Sequence, residues 1–419
     1  MNHGRADVLV LGAGLQGSGV ALELARRGIP VMLIDRDTRP MNRSSLRNEG
    51  KIHLGLIYAN DRSLDTAFLQ LEGALCFRSI VSRWVETSDA WSNASTPFHY
   101  LVSADSLMGP ERLAEHYAAV EERCRWRLEQ DPGLDYLGLR PERLIRRLSD
   151  AEIADHFDPV RVPAGFATEE RAVDPAALAD ALRRAVARAS LVTFAPSRVV
   201  RAITEEPGGF RVEGDWRDGT WCVRAEQVVN ATWERRLALD RQIGLAPPPD
   251  LLHRLKFRII ARLPETLRDA PSVTMVLGRY GDVVVRADGT AYLSWYPVGL
   301  RGWSHEIEPP EAWDAACGGA APAALAREIA GEAMTAIDAW YPGIVRCEPL
   351  LVDAGVIVAI GRSDVDDATS GLHDRSHIGV TTRRGYHTVD PGKLTTAPLF
   401  AIETADRVEA HRSARNTVS

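Results

Sequence analysis

A chain of 419 residues with 45% hydrophobic content can bury a substantial core and is long enough for two domains. Its formal net charge of −7, with no block of like charges, argues against nucleic acid as a main partner. No apolar run reaches membrane-spanning length and no signal-peptide core precedes the first strand, so a cytoplasmic protein with no transmembrane segment is expected.

The first predicted element is a short buried strand over residues 7–11, Asp-Val-Leu-Val-Leu. Gly12-Ala13-Gly14-Leu15-Gln16-Gly17 follows at once, and between residues 15 and 27 the apolar Val20, Ala21, Leu24 and Ala25 recur at helical spacing. A second apolar run, residues 31–35, ends on Asp35. Gly12 permits the tight turn, Gly14 lets the backbone approach a pyrophosphate, and Gly17 lets helix and strand pack closely; the helix N-terminus offers unpaired N–H groups to the anion. Asp35 stands where a carboxylate accepts ribose hydroxyls. A glycine pattern of this kind is by itself only a turn. Here the strand before it, the helix after it and the acid beyond agree on a dinucleotide-binding unit.

After Asp35-Arg36 the chain runs through Ser44, Ser45, Arg47, Asn48, Gly50, Lys51, Ile52 and His53 to Tyr58, where a nicotinamide dehydrogenase would enter another simple strand-helix unit. Residues 76–157 are helix-rich, with Arg/Glu-laced stretches around 110–127 and 141–157. Asp174 caps a helix reaching residue 189, with Pro175 in its first turn. Alternation over 198–203, 209–213 and 220–225 predicts a meander, and a separate buried strand follows at 227–231. Residues 244–250, with three consecutive prolines, read as a linker. Strands are predicted over 254–262, 272–278, 282–286 and 290–296, with Asp288-Gly289 as a hairpin turn. A helix over 321–340 follows, and residues 351–360 are expected to return the chain to the nucleotide domain.

The five cysteines form no Cys-x-x-Cys pair and read as reduced, mostly structural thiols, with no metal site. The chain uses arginine almost wherever it needs a cation; its only lysines are Lys51, Lys256 and Lys393.

The loop over residues 44–58 resembles the flavin-approaching loop of the D-amino-acid oxidase superfamily. It is most similar to the L-2-hydroxyglutarate dehydrogenase/oxidase branch, in which an Arg-Asn pair precedes Gly, then Ile-His, then Gly-Ile-Tyr. The C-terminal stretch from Arg375-Ser376-His377 to Thr388-Val389-Asp390-Pro391-Gly392-Lys393-Leu394-Thr395-Thr396 resembles the FAD-dependent glycerol-3-phosphate dehydrogenases. Val173-Asp174-Pro175 and Asn230-Ala231-Thr232-Trp233 are weaker matches between them. Two departures stand out: Trp233 replaces a glycine that closes a turn in relatives, and Pro391 replaces the first glycine of Gly-Gly-Lys, removing an N–H.

The resemblance implies an α/β fold. It would have a Rossmann-like FAD-binding domain (glutathione-reductase/DAO type) from residues 1–75, 158–243 and 345–419, and an inserted α+β substrate domain, 76–157 and 244–344, built on an antiparallel sheet. The implied cofactor is FAD, gripped by Gly12, Gly14, Gly17, Asp35, Arg36, Ser44, Ser45, Arg47, Asn48, Gly50, Lys51, Ile52, Val199, Ala231, Thr232, Gly392, Lys393, Leu394 and Thr395.

Hydride transfer to flavin N5 calls for a base to take the heteroatom proton and a cation to hold an anionic substrate. His53 is the candidate base, with packing on or hydrogen-bonding to the flavin as the alternative role and covalent attachment to it as the third; Arg375 is the candidate clamp. Lys393 is expected beside the flavin N1–C2=O edge, where negative charge collects on reduction. Arg258, Arg286, Tyr292 and Tyr296 are candidate substrate contacts on the sheet, whose face toward the ring alternation alone leaves open. The expected reaction is oxidation of a CH–OH carbon in a small polar, anionic compound, with oxygen, a quinone or another carrier as electron acceptor. Oxidation of a CH–NH bond is the alternative, and a flavin-bound interaction protein without turnover the third reading. The Gly-Asp-x-x-His type segment of aromatic hydroxylases is absent.

Overall fold

Val8, Leu9, Val10 and Leu11 are wholly buried because the strand that carries them has a neighbour on each side. In the computed structural model, which describes residues 2–86, 91–92, 94–217, 219–278, 280–319 and 321–418, β1 (Asn2–Leu11) leads into α1 (Leu15–Arg26) and then β2 (Val31–Ile34). β1 pairs in parallel with β2, Val8 opposite Val31, and with strand Gly219–Asn230, Leu11 opposite Asn230. The first sheet runs Gly379–Arg383, Tyr386–Asp390, Gly219–Asn230, β1, β2, Val192–Ala195, and strands Gly209–Trp216 and Arg198–Glu206 continue antiparallel from Gly219–Asn230. Four consecutive strands, from Tyr386–Asp390 to β2, are parallel, so their carboxyl ends lie side by side. At the carboxyl end of Gly219–Asn230 the Asn230 amide donates to the Asp240 carboxylate (2.9 Å) and to the hydroxyl of Tyr386 (2.8 Å), the first residue of the neighbouring strand.

The expected break between residues 225 and 227 does not form: Gly219–Asn230 is one strand. Nothing at Glu226 turns the chain, and pairing with β1 along its length keeps it extended.

The second sheet runs Leu300–Ser304, Leu251–Arg262, Thr290–Trp295, Gly281–Val285, Ser272–Val276, Phe98–Val102, Ala164–Thr168, Ile145–Arg147. It is antiparallel except where Phe98–Val102 lies parallel to Ser272–Val276. Residues 351–360 do not rejoin the nucleotide sheet: strand Glu348–Ile360 pairs with Leu251–Arg262 end to end, Leu251 opposite Ile360 and Arg262 opposite Glu348. The reason is a shared core, since Val352, Ala354 and Val356 pack with Phe257 and Ile259 under helix Ala323–Asp338, whose Ile329, Ala333 and Ile337 are buried there. Strands 164–168 and 348–360 therefore hydrogen-bond in the second sheet, although both fall in segments assigned by sequence to the FAD-binding domain.

Alternation also fixes which face of this sheet does what. Leu255, Phe257, Ile259 and Leu293 turn to the helices; Arg254, Lys256, Arg258 and Tyr292 turn to the cavity between the sheets. The five cysteines are unpaired, and burial pushes the Cys76, Cys124 and Cys317 thiols up to about 12. Among the described residues no helix is long and apolar enough to cross a membrane.

Candidate active site

A cavity of about 370 Å³ opens where the parallel strands end. Ligands of open α/β sheets bind at such carboxyl ends. Gly12 follows β1, Asp35 follows β2, Ala231 and Thr232 follow Gly219–Asn230, and Pro391, Gly392 and Lys393 follow Tyr386–Asp390; all of them line the cavity. Gly14 and Lys393, 379 positions apart, thus share one cleft because their strands are near neighbours in the sheet.

Two glycines are fixed by sterics. A Cβ on Gly12, at φ 90°, would meet the Ala231 carbonyl oxygen at 2.6 Å, and one on Gly17 would meet the Gly12 carbonyl oxygen at 1.8 Å. α1 therefore begins hard against the loop, with Gly14 as an N-cap that supplies no side-chain hydrogen bond. Ser45 Oγ accepts from the Leu15 N–H (2.9 Å). Asp35 accepts from the Ala13 N–H (2.5 Å) and the Asp37 N–H (2.8 Å), and burial pushes its carboxyl above the ordinary value against those bonds. A helix end with no side-chain cap of its own, beside a half-buried carboxylate, fits the pyrophosphate and ribose of a dinucleotide.

The loop that forms the cavity wall is held by its own polar groups. Arg36 pairs with Asp314 (2.5 Å), and Arg43 bridges Asp37 (3.0 Å) and Asp314 (2.8 Å). The Asn48 amide donates to the Ser44 and Ser45 carbonyls, both at 3.0 Å. Arg47 reaches Asp353 (3.1 Å), and Arg258, directly opposite Asp353 in the sheet, binds the same carboxylate through Nε (2.7 Å) and Nη2 (3.2 Å) while donating to the Leu46 carbonyl (2.9 Å). Arg258 thus touches the cavity, but its donors clamp the loop to the sheet.

Of the residues expected at the cofactor, Gly12, Gly14, Asp35, Arg36, Ser44, Ser45, Arg47, Asn48, Lys51, Ala231, Thr232, Gly392, Lys393 and Leu394 line the cavity. Gly17, Gly50, Ile52, Val199 and Thr395 stand behind it; Thr395 Oγ1, for instance, accepts from the His53 N–H (2.9 Å). His53, Arg375, Tyr292 and Tyr296 line the cavity too, whereas Arg286 is buried elsewhere, facing Asp174.

Both departures have local answers. Trp233 adopts φ 53°, the left-handed region that suits glycine, and its indole N–H is anchored on the Val356 carbonyl at 2.8 Å. The Pro391 carbonyl accepts from the Lys393 N–H and from Thr396 Oγ1, both at 2.5 Å, and Gly392 takes the positive φ of 61°.

Sequence reasoning assigned no role to Glu49, Tyr58, Glu170, Arg254, Lys256 or Asp282. All but Glu170 line the cavity, and Arg254, Lys256 and Arg258 at alternate positions of one strand were the available signal. With Lys256 included, every lysine of the chain lines this cavity.

Their surroundings differ. Lys51 donates to Asp282 Oδ1 (2.8 Å) and to Thr274, and lies over the Phe98 ring at 4.3 Å. Lys256 lies over the Tyr296 ring at 4.3 Å; burial works against its charge, but Tyr292, Tyr296, Asp282 and Glu49 outweigh it and hold its proton more tightly than usual. Lys393 is shifted the other way, by burial first, with Arg375 and Lys256 adding to it against Glu49. Burial tends to raise the Tyr296 phenol, yet Lys256, Arg254 and Lys393 hold it below the ordinary value.

His53 is buried, and neither ring nitrogen has a hydrogen-bond partner among the described residues; Nε2 lies 3.8 Å from Glu49 Oε1, and Nδ1 lies 3.8 Å from Glu170 Oε1. Burial lowers its proton affinity against both carboxylates, leaving a neutral imidazole at neutral pH. Glu49 is held well below the carboxylate range: His53, Lys393 and Lys256 overcome the effect of burial.

Over 97% of its length the chain superposes on glycine oxidase from Geobacillus kaustophilus, covering 95% of that chain, with a TM-score of 0.69 at 16% identity. L-alpha-glycerophosphate oxidase from Mycoplasma pneumoniae with FAD bound is similar over 97% of this chain and 95% of its own, with a TM-score of 0.64 at 18% identity. These likenesses establish a shared fold. In sequence, 67 residues, 16% of this chain, are 52% identical to kynurenine 3-monooxygenase of Salinispora tropica, and the match spans 14% of that relative's length. The family model described as DAO, FAD dependent oxidoreductase, matches residues 7–407: the chain belongs to this family, is an oxidoreductase, and takes FAD as its cofactor.

Proposed function

We propose that this enzyme oxidises the CH–OH carbon of a small anionic substrate. One observation carries the reading: a buried His53 faces a cavity whose cations include Arg254, Lys256, Arg375 and Lys393. The residues at the strand ends hold the cofactor, Gly12, Gly14 and the start of α1 at its pyrophosphate and Asp35 at its ribose. When bound, FAD supplies an oxidising ring that accepts a hydride equivalent from the substrate carbon.

The chain's own part is to bind, orient and move one proton. Arg254, which also pairs with Asp364 at 3.4 Å, and Arg375 clamp the substrate's carboxylate or phosphate, and the Tyr58 hydroxyl, with no hydrogen-bond partner among the described residues, is a further donor in the same cavity. His53 Nε2 takes the hydroxyl proton, a role worth roughly 10²–10⁴-fold in rate, and Glu49 at 3.8 Å offsets the charge of the imidazolium. Lys393, whose proton is held more loosely than usual, neutralises negative charge that builds at its end of the cavity.

A second reading, oxidation of a CH–NH bond, is favoured by the Glu49 and Asp282 carboxylates, which can hold an ammonium, and by the likeness to a glycine oxidase. Anaerobic bleaching of the flavin absorbance with 2-hydroxy acids, polyol phosphates and amino acids separates the two. Bleaching by a hydroxylated anion is expected, with the rate cut by His53→Gln. Bleaching by amino acids alone would overturn the alcohol reading. The acceptor, oxygen, a quinone or another carrier, is read from which of them restores the colour.

A further inference from the structure

We propose that Glu170 is the positioning residue of His53: its negative charge favours the proton on Nδ1, so that Nε2 is the nitrogen presented to the cavity. This rests on His53 acting as the base. Glu170 lies in the short link between strands Ala164–Thr168 and Arg171–Ala172, and the second of these pairs with Lys51–Ile52, which brings Glu170 beside His53 and Leu54 although 116 positions separate it from Leu54.

Its carboxylate is fully buried and does not line the cavity. Two donors fix it. The Leu54 N–H gives to Oε2 at 2.7 Å, and the Tyr100 hydroxyl gives to Oε1 at 2.5 Å. Tyr100 is a permanent donor here, because burial and the Glu170 charge both raise its phenol well above the ordinary value. Oε1 then lies 3.8 Å from His53 Nδ1, while Glu49, the carboxylate near Nε2, is on the cavity side.

A neutral imidazole carries one N–H. Of the two flanking carboxylates, the one locked in the core is the fixed charge, which draws that proton to Nδ1 and leaves the lone pair at Nε2 for the substrate. When the substrate O–H bond breaks and an Nε2–H bond forms, the new positive charge sits between Glu170 and Glu49. The other charged or titratable groups around His53 are Lys51 from its own strand, Tyr58 from the turn after it and Lys393 from the C-terminal loop. Both cations oppose the imidazolium, so the two carboxylates set whether it forms. A carboxylate that orients a histidine through its second nitrogen acts on both tautomer and basicity.

The test uses FAD-loaded protein with ¹⁵N-labelled histidines, read by long-range ¹H–¹⁵N correlation, with the His53 signals assigned by their loss in His53→Gln. The parent is expected to show the Nδ1-protonated tautomer. In Glu170→Gln that preference is lost, and His53 proton affinity falls about tenfold, one pH unit. In Tyr100→Phe the carboxylate loses a competing donor, and the midpoint moves up instead. Opposite shifts in two variants with parental FAD content and Tm are beyond a purely structural role. An Nε2-protonated parent, or midpoints that stay put in both variants, overturns the proposal; should Glu170→Gln fail to fold, the Tyr100→Phe shift decides. A His53→Gln enzyme reduced at the parental rate by substrate overturns the base assignment instead, which keeps the two failures apart.

Discussion

Arg258→Met separates a loop clamp from a substrate anchor. The Arg258 and Asp353 side chains are 7% and 3% exposed, and the second partner, Arg47, is 4% exposed, so the triad lies out of water. Breaking a buried ion pair by removing one partner costs about 3–5 kcal/mol. Arg47 remains on Asp353, which places the loss near the lower end, and the Leu46 carbonyl gives up a donor worth about 1 kcal/mol. A destabilisation of roughly 3–4 kcal/mol is expected. With an unfolding entropy of about 2 cal/mol/K per residue, a chain of 419 residues loses about 1 °C of Tm per kcal/mol, so the melting point should fall by about 3–4 °C.

Calorimetry of the FAD-loaded protein measures this, and an absorbance spectrum of the same sample gives FAD content, expected to drop because the clamped loop forms the cofactor cavity wall. KM for the substrate found by bleaching should stay within twofold. The opposite pattern, an unchanged Tm with a tenfold rise in KM, would refute the clamp and return Arg258 to the substrate. Asp353→Ala, which strands two cations at once, should cost more than Arg258→Met.

Gly17→Ala should purify without flavin colour, because its Cβ would sit 1.8 Å from the Gly12 carbonyl oxygen and α1 must move away from the loop; a full complement of FAD would contradict that packing. Asp35→Ala removes the carboxylate proposed to accept from the ribose, a charge-assisted hydrogen bond worth roughly 1.5–3 kcal/mol, so the Kd for FAD should rise about 10- to 150-fold in a fluorescence titration of apoprotein. Glu23, on the buried face of α1, tends upward through burial, but Arg26, Arg27 and Trp84 hold its carboxyl at about 2 against an ordinary 4.5. A depressed carboxylate stabilises the fold above its unfolded value and ceases to as the folded value is passed. Glu23→Gln should therefore cost up to about 3 kcal/mol at neutral pH, with the gap from the parent closing between about pH 4.5 and 2 in urea titrations.

The nucleotide unit is legible in the sequence because everything that specifies it is local. Gly12, Gly14, Gly17 and Asp35 lie within 24 positions, and their sterics and charge act within one strand-turn-helix-strand. Long-range pairing is different. Alternation in 351–360 says that one face is buried, yet Val352, Ala354 and Val356 fit either sheet, and only their packing with Phe257 and Ile259 decides. Arg258 shows the same limit for function. An arginine held by Asp353 and one reaching for a substrate read alike in sequence, because the partner lies 95 positions away. Glu170 is hidden for that reason as well: its place beside His53 depends on the pairing of Lys51–Ile52 with Arg171–Ala172.

The three lysines join sequence to chemistry. In a chain that otherwise uses arginine for its cations, all three lysines line one cavity, and guanidinium groups do other work there: Arg36 and Arg47 hold the loop through single ion pairs, Arg43 and Arg258 through multidentate ones. An arginine stays charged throughout, so it suits a clamp. A lysine's proton affinity moves with its surroundings, and here Lys256 and Lys393, both against Glu49 and Tyr296, are driven in opposite directions. Groups in one site pushed apart in this way are suited to different tasks. On the proposed reading Lys256, stacked on Tyr296 and tightly protonated, is a standing positive charge for an anionic substrate, and Lys393 is the cation whose charge can answer a change in its neighbours.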